Sequence, residues 1–276
     1  RYAPARDHEL SLTHSSSYTR PSYRDLLGYT SVASAAFLRK GNSELRTSYR
    51  RGLSLNYTYM RAAQLELSYT DTEDPIVEAI PPMYGGGITL RRYNLDYSRT
   101  LRALLVLPLP LVSQKKFSWL ALTILAAQRQ WDAGHIEMTD YSAALNTQFV
   151  QHRHSFSLPS DWTVDLGVTY YSGVLYELYR IQRQWWVDAS VSKRMGNLRA
   201  TLSARDPFNT NIARGSYNPE VNGLAFERNW HSPRLELTIS YSWGKKSVKA
   251  QDTRVRYDDL KRLTTGASEG MNTPAQ

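Results

Sequence analysis

The clearest feature of the sequence is an alternation of apolar and polar residues with a period of two. In WTVDLGVTYY, residues 162–171, the even positions are apolar or aromatic, and the odd positions from 163 to 169 are small or polar. Successive side chains of a β-strand point to opposite faces, so this pattern predicts a strand with one apolar face. The period alone does not say whether that face meets a protein core or a lipid bilayer.

The same period recurs along the whole chain, and its segments are joined by two alternating kinds of connection. Short, turn-forming links such as residues 159–161 and the stretch around 108–116 alternate with longer links rich in Pro, Gly and Asn. This arrangement is typical of an up-and-down β-meander with almost no helix. The predicted strands are residues 7–19, 44–59, 62–72, 91–108, 117–131, 140–158, 161–177, 183–195, 197–209 and 224–243.

The lengths of these strands favour a membrane protein. Several have about 15 to 20 residues, whereas strands of globular proteins usually have about five or six. A bilayer needs about 9–11 residues of tilted strand, so a membrane barrel explains the lengths better than a soluble sandwich. The 19 Tyr and 7 Trp cluster near the ends of the alternating segments, where an interfacial belt would place them.

The prediction is therefore an all-β, antiparallel, up-and-down transmembrane β-barrel, and the period assigns side chains to its two sides. Apolar positions should face lipid, and the polar positions between them should face a watery lumen. The residues expected to face lipid are Trp162, Val164, Leu166, Val168, Leu235, Leu237 and Ile239. The residues expected to face the lumen are Asp165, Asp188, Arg199, Arg205 and Glu236.

The composition excludes a helical membrane protein and cysteine-based chemistry. The mean hydropathy is −0.50 and the longest apolar run, residues 103–112, contains two prolines, so no helix can span a bilayer. A β-barrel can be this polar because only one face of each strand meets lipid. The net charge of +9 is dispersed, which indicates a solvated surface and no nucleic-acid partner. The absence of cysteine excludes thiol catalysis, disulfides and cysteine-based metal sites.

Five motifs carry a resemblance to a known family. They are YTRPSYRDL (residues 18–26), GNSEL (41–45), LSYTDTEDPI (67–76), LSARDPFNTN (202–211) and RNWHSPRLELTISYSWGKK (228–246). In this order they resemble motifs of the Bacteroidetes outer-membrane β-barrel family related to TonB-dependent receptors. The sequence departs from that family at Ser43, where Pro is usual, at Pro207, where Ile is usual, and at Trp243, where Phe is more common.

The resemblance implies the C-terminal barrel portion of a larger barrel of about 22 strands. In such receptors a plug domain fills the lumen and an N-terminal segment contacts TonB, so the expected partners are the outer-membrane bilayer, a plug, TonB and an unknown solute. The chain begins at Arg1 without an initiator Met, as expected of a processed chain or a piece of a longer one. Residues 1–243 are predicted to form the barrel portion, and residues 244–276 a polar, flexible tail in the periplasm.

Candidate sites for chemistry are few. His152 and His154 share one strand face at a spacing that can chelate a metal, but no third ligand is evident, so a polar cluster near the periplasmic end is the preferred interpretation and no metal is predicted. Gly85, Gly86 and Gly87 lack the context of a phosphate-binding loop and indicate an extracellular loop. No Gly-x-Ser-x-Gly motif or triad can be nominated, so neither catalysis nor a cofactor is expected.

The leading interpretation of function is thus part of a TonB-dependent-type receptor for solute uptake. A passive or structural barrel without a plug is the first alternative. An outer-membrane enzyme and a secreted carbohydrate-binding β-sandwich are further alternatives. The charged lumen residues can be interpreted as part of a hydrated polar interior with cross-strand pairs. The alternative is that they contact a plug or a passing solute.

Overall fold

Long β-strands make up most of the protein in the computed structural model. The structure describes residues 2–5, 7–32, 37–60, 62–80, 88–217, 224–229 and 233–243. Helix is confined in these residues to α1 (Tyr23–Leu26) and a 3₁₀ turn (Pro159–Asp161). The strands are, in chain order, β1 (Tyr2–Ala5), β2 (His8–Thr19), β3 (Thr30–Val32), β4 (Phe37–Lys40), β5 (Ser48–Tyr59), β6 (Ala63–Glu73), β7 (Ile76–Ala79), β8 (Ile88–Asn94), β9 (Tyr97–Ser113), β10 (Ser118–Ile136), β11 (Thr139–Leu158), β12 (Trp162–Tyr171), β13 (Val174–Tyr176), β14 (Tyr179–Ile181), β15 (Gln184–Met195), β16 (Leu198–Arg205), β17 (Ile212–Tyr217), β18 (Ala225–Asn229) and β19 (Arg234–Tyr241).

The long strands form one sheet, called the main sheet below. Its order is β1-β2-β5-β6-β9-β10-β11-β12-β15-β16-β19, so each long strand is hydrogen-bonded to the next one along the chain. The pairs from β1 to β16 are antiparallel. The predicted up-and-down fold is confirmed, and the short strand β1 was not predicted. In the described residues β1 and β19 are the edges of the sheet, each with one neighbour.

The predicted turn in the stretch 108–116 is present, but the predicted end of the strand at residue 108 was too early, because β9 continues to Ser113 and the chain turns between Ser113 and Ser118. The prolines of this stretch caused the error. Among the described residues, β6 pairs with β9 only as far as the Gln64–Val106 pair. Pro108 and Pro110 therefore lie where β10 is the only partner of β9, and a strand tolerates missing N–H groups on an open edge.

Two small four-stranded sheets were also not predicted. β3, β4, β7, β14 and β17 lie in segments interpreted as long loops, whereas β8, β13 and β18 lie wholly or partly within the predicted strands 91–108, 161–177 and 224–243. One has the order β3-β4-β8-β7 and the other the order β13-β14-β17-β18. The first contains a parallel pair, β4 with β8, that joins two separate long connections and places Lys40 opposite Arg91. The predicted strand 161–177 is accordingly divided, since β12 ends at Tyr171 and β13 belongs to the second small sheet.

The largest apolar core of the described residues lies at the long-connection end, where the small sheets meet the tip of the β10–β11 hairpin. Its members are Val77, Ala79, Ile80, Tyr93, Leu95, Ile136, Tyr141, Leu178 and Tyr217. The backbone N–H of Ile80 donates to the Tyr217 hydroxyl at 2.9 Å, and burial raises the pKa of Tyr217. Over most of the main sheet, by contrast, the described residues place no second layer of protein on either face.

Two of the sequence motifs meet at this end of the molecule. Ser22 caps α1 by accepting a hydrogen bond from the Asp25 backbone N–H at 3.2 Å. The Asn42 N–H donates to the Asp25 carbonyl at 2.6 Å, and the Asn42 side chain donates to the Arg92 carbonyl at 2.9 Å. A Cβ on Gly41 would lie 1.6 Å from the Leu27 carbonyl oxygen, so only glycine fits there. The RPSYRDL and GNSEL motifs therefore build one turn together.

Three stretches set the limits of this description. Residues 1–240 and 241–276 are separate units, and the second is described only at residues 241–243. The predicted tail 244–276 and the glycines at 85–87 lie outside the described residues. Within the described part of the chain, no helix has the length and apolar character needed to cross a membrane.

A buried aspartate organises the turn that follows β16. Asp206 is 1 % exposed and has a φ of 42°. One of its carboxylate oxygens, Oδ1, accepts from the Thr210 N–H at 2.8 Å and the Thr210 hydroxyl at 3.0 Å, and the other accepts from the Asn211 N–H at 3.0 Å. Its own N–H donates to the Val187 carbonyl at 3.0 Å. This carboxylate therefore satisfies the backbone of the DPFNTN motif.

Replacing Asp206 by Ala should open this turn, because the Thr210 and Asn211 N–H groups lose a charged acceptor worth about 3 kcal/mol in total. We expect amide hydrogen exchange of Thr210 and Asn211 to become about a hundredfold faster. Asp206→Asn is the matched control, since asparagine keeps one acceptor oxygen and tolerates positive φ, and it should cause a smaller change. Unchanged exchange in Asp206→Ala would show that the carboxylate does not hold the turn.

Candidate functional site

The cross-strand register shows which residues share a face of the main sheet. Residues directly opposite each other in an antiparallel pair point to the same side. Leu166 is opposite His154 on β11 and Ala189 on β15, and His154 is opposite Ala121 on β10. Continued across the sheet, this relation defines an apolar face, made by the even positions of β2, β11, β12 and β16 and the odd positions of β5, β6, β9, β10 and β15. The remaining positions define the polar face.

The apolar face presents large side chains that no other part of the described protein covers. Trp162 and Leu166 are each 43 % exposed and Val168 is 39 % exposed, and Val164, on the same face, is half-buried. Other exposed members of this face are Leu12, Leu53, Leu55, Leu65, Leu67, Leu101, Leu125, Val191 and Leu202. A continuous apolar surface of this width needs an apolar environment.

Aromatic residues border the apolar face at both ends. Near the short turns, Trp119 stacks on Phe156 with ring centroids 5.5 Å apart, and Lys193 Nζ lies 4.9 Å from the Trp162 ring. The aromatic residues of this face near the long connections are Tyr18, Tyr49, Tyr97, Trp131, Tyr170 and Trp185. Two aromatic rows around an apolar band are the pattern of a barrel wall at two membrane interfaces.

The polar face holds the predicted lumen residues of β12, β15 and β16. Asp165 is opposite Ser190, and Asp188 is opposite Arg205. Arg199 occupies the same face of β16, six residue pairs closer to the short turn. On β19, Glu236 alternates with Leu235, Leu237 and Ile239, which are 72 %, 64 % and 65 % exposed. Contact of these residues with lumen water or lipid stays a prediction.

A groove of about 770 Å³ on the polar face has six charged residues in its lining, of which Asp206 belongs to the turn after β16 and Arg234 lies 3.5 Å from Glu236. Arg153, Asp165, Asp188 and Arg205 line it, and Gly167 leaves room between Arg153 and Asp188. Ser190 Oγ donates to Asp165 at 3.2 Å, and the Asp206 N–H donates to Asp188 at 3.2 Å. No ion pair within 4.0 Å joins the two arginines to the two aspartates.

Sequence reasoning missed Arg153, and of the predicted lumen residues Arg199 and Glu236 do not line this groove. Arg153 stands between the two histidines of QHRH, which drew attention to their own face. The period of two was the signal that could have found it, because it places Arg153 on the face opposite His152 and His154.

The polar face also carries an apolar area, called the inner apolar patch below. It consists of Leu104 and Val106 on β9 and Leu122 and Ile124 on β10, all at polar-face positions. Val106 is directly opposite Ile124. The run ALLVLPLPLV was interpreted only as too short for a membrane helix, yet consecutive apolar residues in a strand mean that both faces need apolar contact. All four side chains of the inner apolar patch are half-buried in the described part of the chain.

The two histidines lie on the apolar face, and their hydrogen bonds indicate which tautomer each neutral ring adopts. Trp119 Nε1–H donates to His154 Nδ1 at 2.9 Å, so the proton of a neutral His154 is on Nε2. This Nε2 lies 2.9 Å from His152 Nε2, which must then accept, and His152 Nδ1–H can donate to Thr123 Oγ1 at 2.8 Å.

The same arrangement bears on metal binding. A metal held between the two Nε2 atoms would need the His154 proton removed. No group of three or more metal-ligating side chains occurs among the described residues. The arrangement therefore favours the neutral hydrogen-bonded pair over a metal site.

Comparison with known proteins agrees with this geometry. No curated protein matches the chain, and no solved structure matches it. A family model described as the outer membrane protein beta-barrel family matches residues 1–241, which include every strand from β1 to β19. The match confirms the predicted fold class and the outer-membrane location. The chain belongs to the outer membrane protein beta-barrel family.

Proposed function

We propose that this chain is the C-terminal barrel portion of a TonB-dependent-type receptor that takes up a solute across the outer membrane. Its proposed partners are the bilayer, a plug domain, TonB and the solute. In this proposal the apolar face meets lipid and the polar face meets the lumen. The short turns lie at the periplasmic side, and residues 244–276 follow β19 into the periplasm.

The inner apolar patch is the observation that carries this proposal. A lumen filled with water alone would leave Leu104, Val106, Leu122 and Ile124 against water, at about 25 cal/mol for each Å² of apolar surface that could be buried. A plug domain seated against β9 and β10 would cover them. A passive barrel without a plug, the first alternative, offers no reason for apolar residues on both faces of these two strands.

The charged groove supports the same proposal. Arg153, Asp165, Asp188 and Arg205 form no ion pairs with one another and stay available for outside partners. Three cations and three anions around one groove suit a polar solute or the polar surface of a plug. We propose that the chain has no enzymatic activity of its own.

The edges of the main sheet favour a larger barrel. β1 and β19 each have one neighbour among the described strands. Lipid cannot pair with the free N–H and C=O groups of a strand, so both edges need partner strands inside the bilayer. In the proposal, further strands of the receptor supply these partners.

A single cysteine at Ile124 tests whether a plug covers the inner apolar patch, and the chain has no native cysteine to interfere. In the intact protein, Ile124→Cys should react slowly with a water-soluble maleimide and rapidly after the plug is unfolded by mild denaturant. Gln114→Cys, in an exposed turn, is the control for reagent access and should react rapidly in both states. Equal, rapid reaction at both positions without denaturant would favour the passive barrel.

The proposed orientation of the faces is tested by a charged residue at the centre of the apolar face. Leu166→Arg in the intact protein should cost about 2–4 kcal/mol of unfolding free energy, because arginine on the lipid side near the midplane loses its hydration. Asp165→Asn should cost much less, since a lumen side chain keeps its contact with water and Asp165 accepts only a 3.2 Å bond from Ser190. Urea unfolding in lipid vesicles measures both values.

Spin labels give an independent measurement of the same orientation. Labels at Leu166 and Leu237 should be broadened by lipid-soluble oxygen, and labels at Asp165 and Glu236 by a water-soluble quencher. The second pair of positions lies on β19, so the result does not depend on β12 alone. Equal access of the aqueous quencher to all four labels would contradict the proposed orientation.

A further inference from the structure

Arginines lie on the apolar face at the long-connection end of neighbouring strands. Arg51 on β5, Arg99 on β9 and Arg129 on β10 are all exposed and all occupy odd positions of this face. We call them the outer arginine row. Side chains of this face point away from the polar groove, so the outer arginine row is no part of the proposed solute path.

Each of these arginines stands at the first position beyond an apolar run on its own strand. On β5 the run is Leu53, Leu55, Tyr57 and Tyr59, and on β9 it is Leu101, Ala103, Leu105, Leu107 and Leu109. On β10 it reaches from Trp119 to Ala127. The arginines therefore mark the upper boundary of the lipid-facing band, the depth at which lipid headgroups begin.

The positions are close to one another across the sheet. Arg51 is opposite Asp71 on β6, and Asp71 is opposite Arg99 on β9. Neighbouring strands are about 4.8 Å apart, so the Cα atoms of Arg51 and Arg99 are separated by about 10 Å. Arg129 lies on the next strand, β10. It is opposite Leu101, which is the apolar-face residue that follows Arg99 on β9 in the direction of the short turns. Three cations thus share a surface that one or two lipid headgroups could cover.

The charge of this surface is only partly balanced. Arg99 Nε lies 3.1 Å from Asp71 Oδ1, and this is the ion pair of the row among the described residues. Arg51 and Arg129 have no carboxylate within 4.0 Å in that part of the chain. The Arg99 guanidinium also lies 4.4 Å from the Tyr97 ring centroid and that of Arg129 lies 5.2 Å from the Trp131 ring centroid. These aromatic contacts hold both guanidinium groups against the wall of the sheet.

Isolated arginines at a membrane boundary would need no ligand, because long side chains reach outward to water. The grouping argues against that explanation. The apolar runs of β12 and β15 end in Tyr170 and Trp185, and that of β11 ends in Gln148, so these arginines are concentrated on β5, β9 and β10. Two carboxylates of the same face, Asp71 and Glu73 on β6, balance part of their charge. A guanidinium group can form bidentate hydrogen bonds to a phosphate, so arginines at the depth of the lipid headgroups are suited to bind a lipid phosphate.

We propose that the outer arginine row binds the phosphate of an anionic membrane lipid, whose acyl chains lie on the leucines of β5, β6 and β9. A membrane lipid fits better than a soluble phosphate because the arginines adjoin the apolar band directly, and a lipid fills both surfaces at once. The site fixes one sector of the barrel wall in the leaflet next to the long connections. It does not depend on the nature of the solute or on a plug.

The test compares spin-labelled phosphatidylglycerol with spin-labelled phosphatidylcholine around the intact protein in nanodiscs. The wild type should prefer phosphatidylglycerol, and Arg51→Gln with Arg99→Gln should remove most of the preference, since one arginine near a membrane surface contributes up to about fivefold in association. The matched control is Arg50→Gln with Arg102→Gln. It removes the same charge from the same two strands, but on the polar face, and should keep the preference.

Further measurements keep the result decisive. Arg51→Lys with Arg99→Lys should retain part of the preference, because the charge remains while the two-pronged geometry is lost. Raising the salt concentration should weaken the preference of the wild type, even if a glutamine variant fails to fold. The proposal is overturned by equal association of both lipids with the wild type or by equal loss in the two glutamine variants. Competition by excess inorganic phosphate at constant ionic strength would assign the site to soluble phosphate and would also overturn it.

Discussion

Pairing of the backbone is the constraint on which the rest of this structure depends. Inside a bilayer no water can satisfy an N–H or C=O group, so every strand that crosses must be paired along its whole crossing length. Neighbouring long strands of this chain meet that requirement by pairing in sequence order, with 19 consecutive residue pairs between β10 and β11. The register then fixes the side of each residue, apart from the shift between Trp119 and Leu120 in the pair β9–β10. A side chain cannot move to the other face of the sheet unless the register of its whole strand shifts by one residue.

The sequence predicts most of the main sheet, because its strands are long and pair with their neighbours along the chain. A period of two over WTVDLGVTYY needs no knowledge of distant contacts, and β12 begins within one residue of the predicted start. The small sheets could not be predicted in this way. β13 and β14 have three residues each, and β4 pairs with β8 across about fifty residues of chain. Short strands with distant partners leave no periodic signal.

The candidate sites were predictable to a different degree. Asp165 and Asp188 follow from the period, because each is a charged residue between apolar neighbours. The groove they line also requires Arg153, and the neighbours of Arg153 are known only from the register of β11 with β12. The inner apolar patch needed two strands at once, since Val106 and Ile124 are 18 positions apart in sequence and directly opposite in space. Sequence identifies the face of a residue, and the register identifies its neighbours.

The division between the main sheet and the long-connection end has a consequence for how the protein is stabilised. The core around Tyr93 and Tyr217 is a protein interior, in which burial raises the pKa of both hydroxyls and cavities would cost stability in the usual way. The main sheet has no such interior in the described residues, so in the proposed orientation the surrounding lipid stabilises the side chains of its apolar face. Loss of a methylene from Leu166 leaves room that lipid can fill, whereas the same loss from Leu95 leaves a cavity. Truncation of an apolar side chain should therefore cost less stability on the apolar face than in the core at the long-connection end. A charged substitution should cost more on the apolar face than at a core position from which the new side chain can reach water.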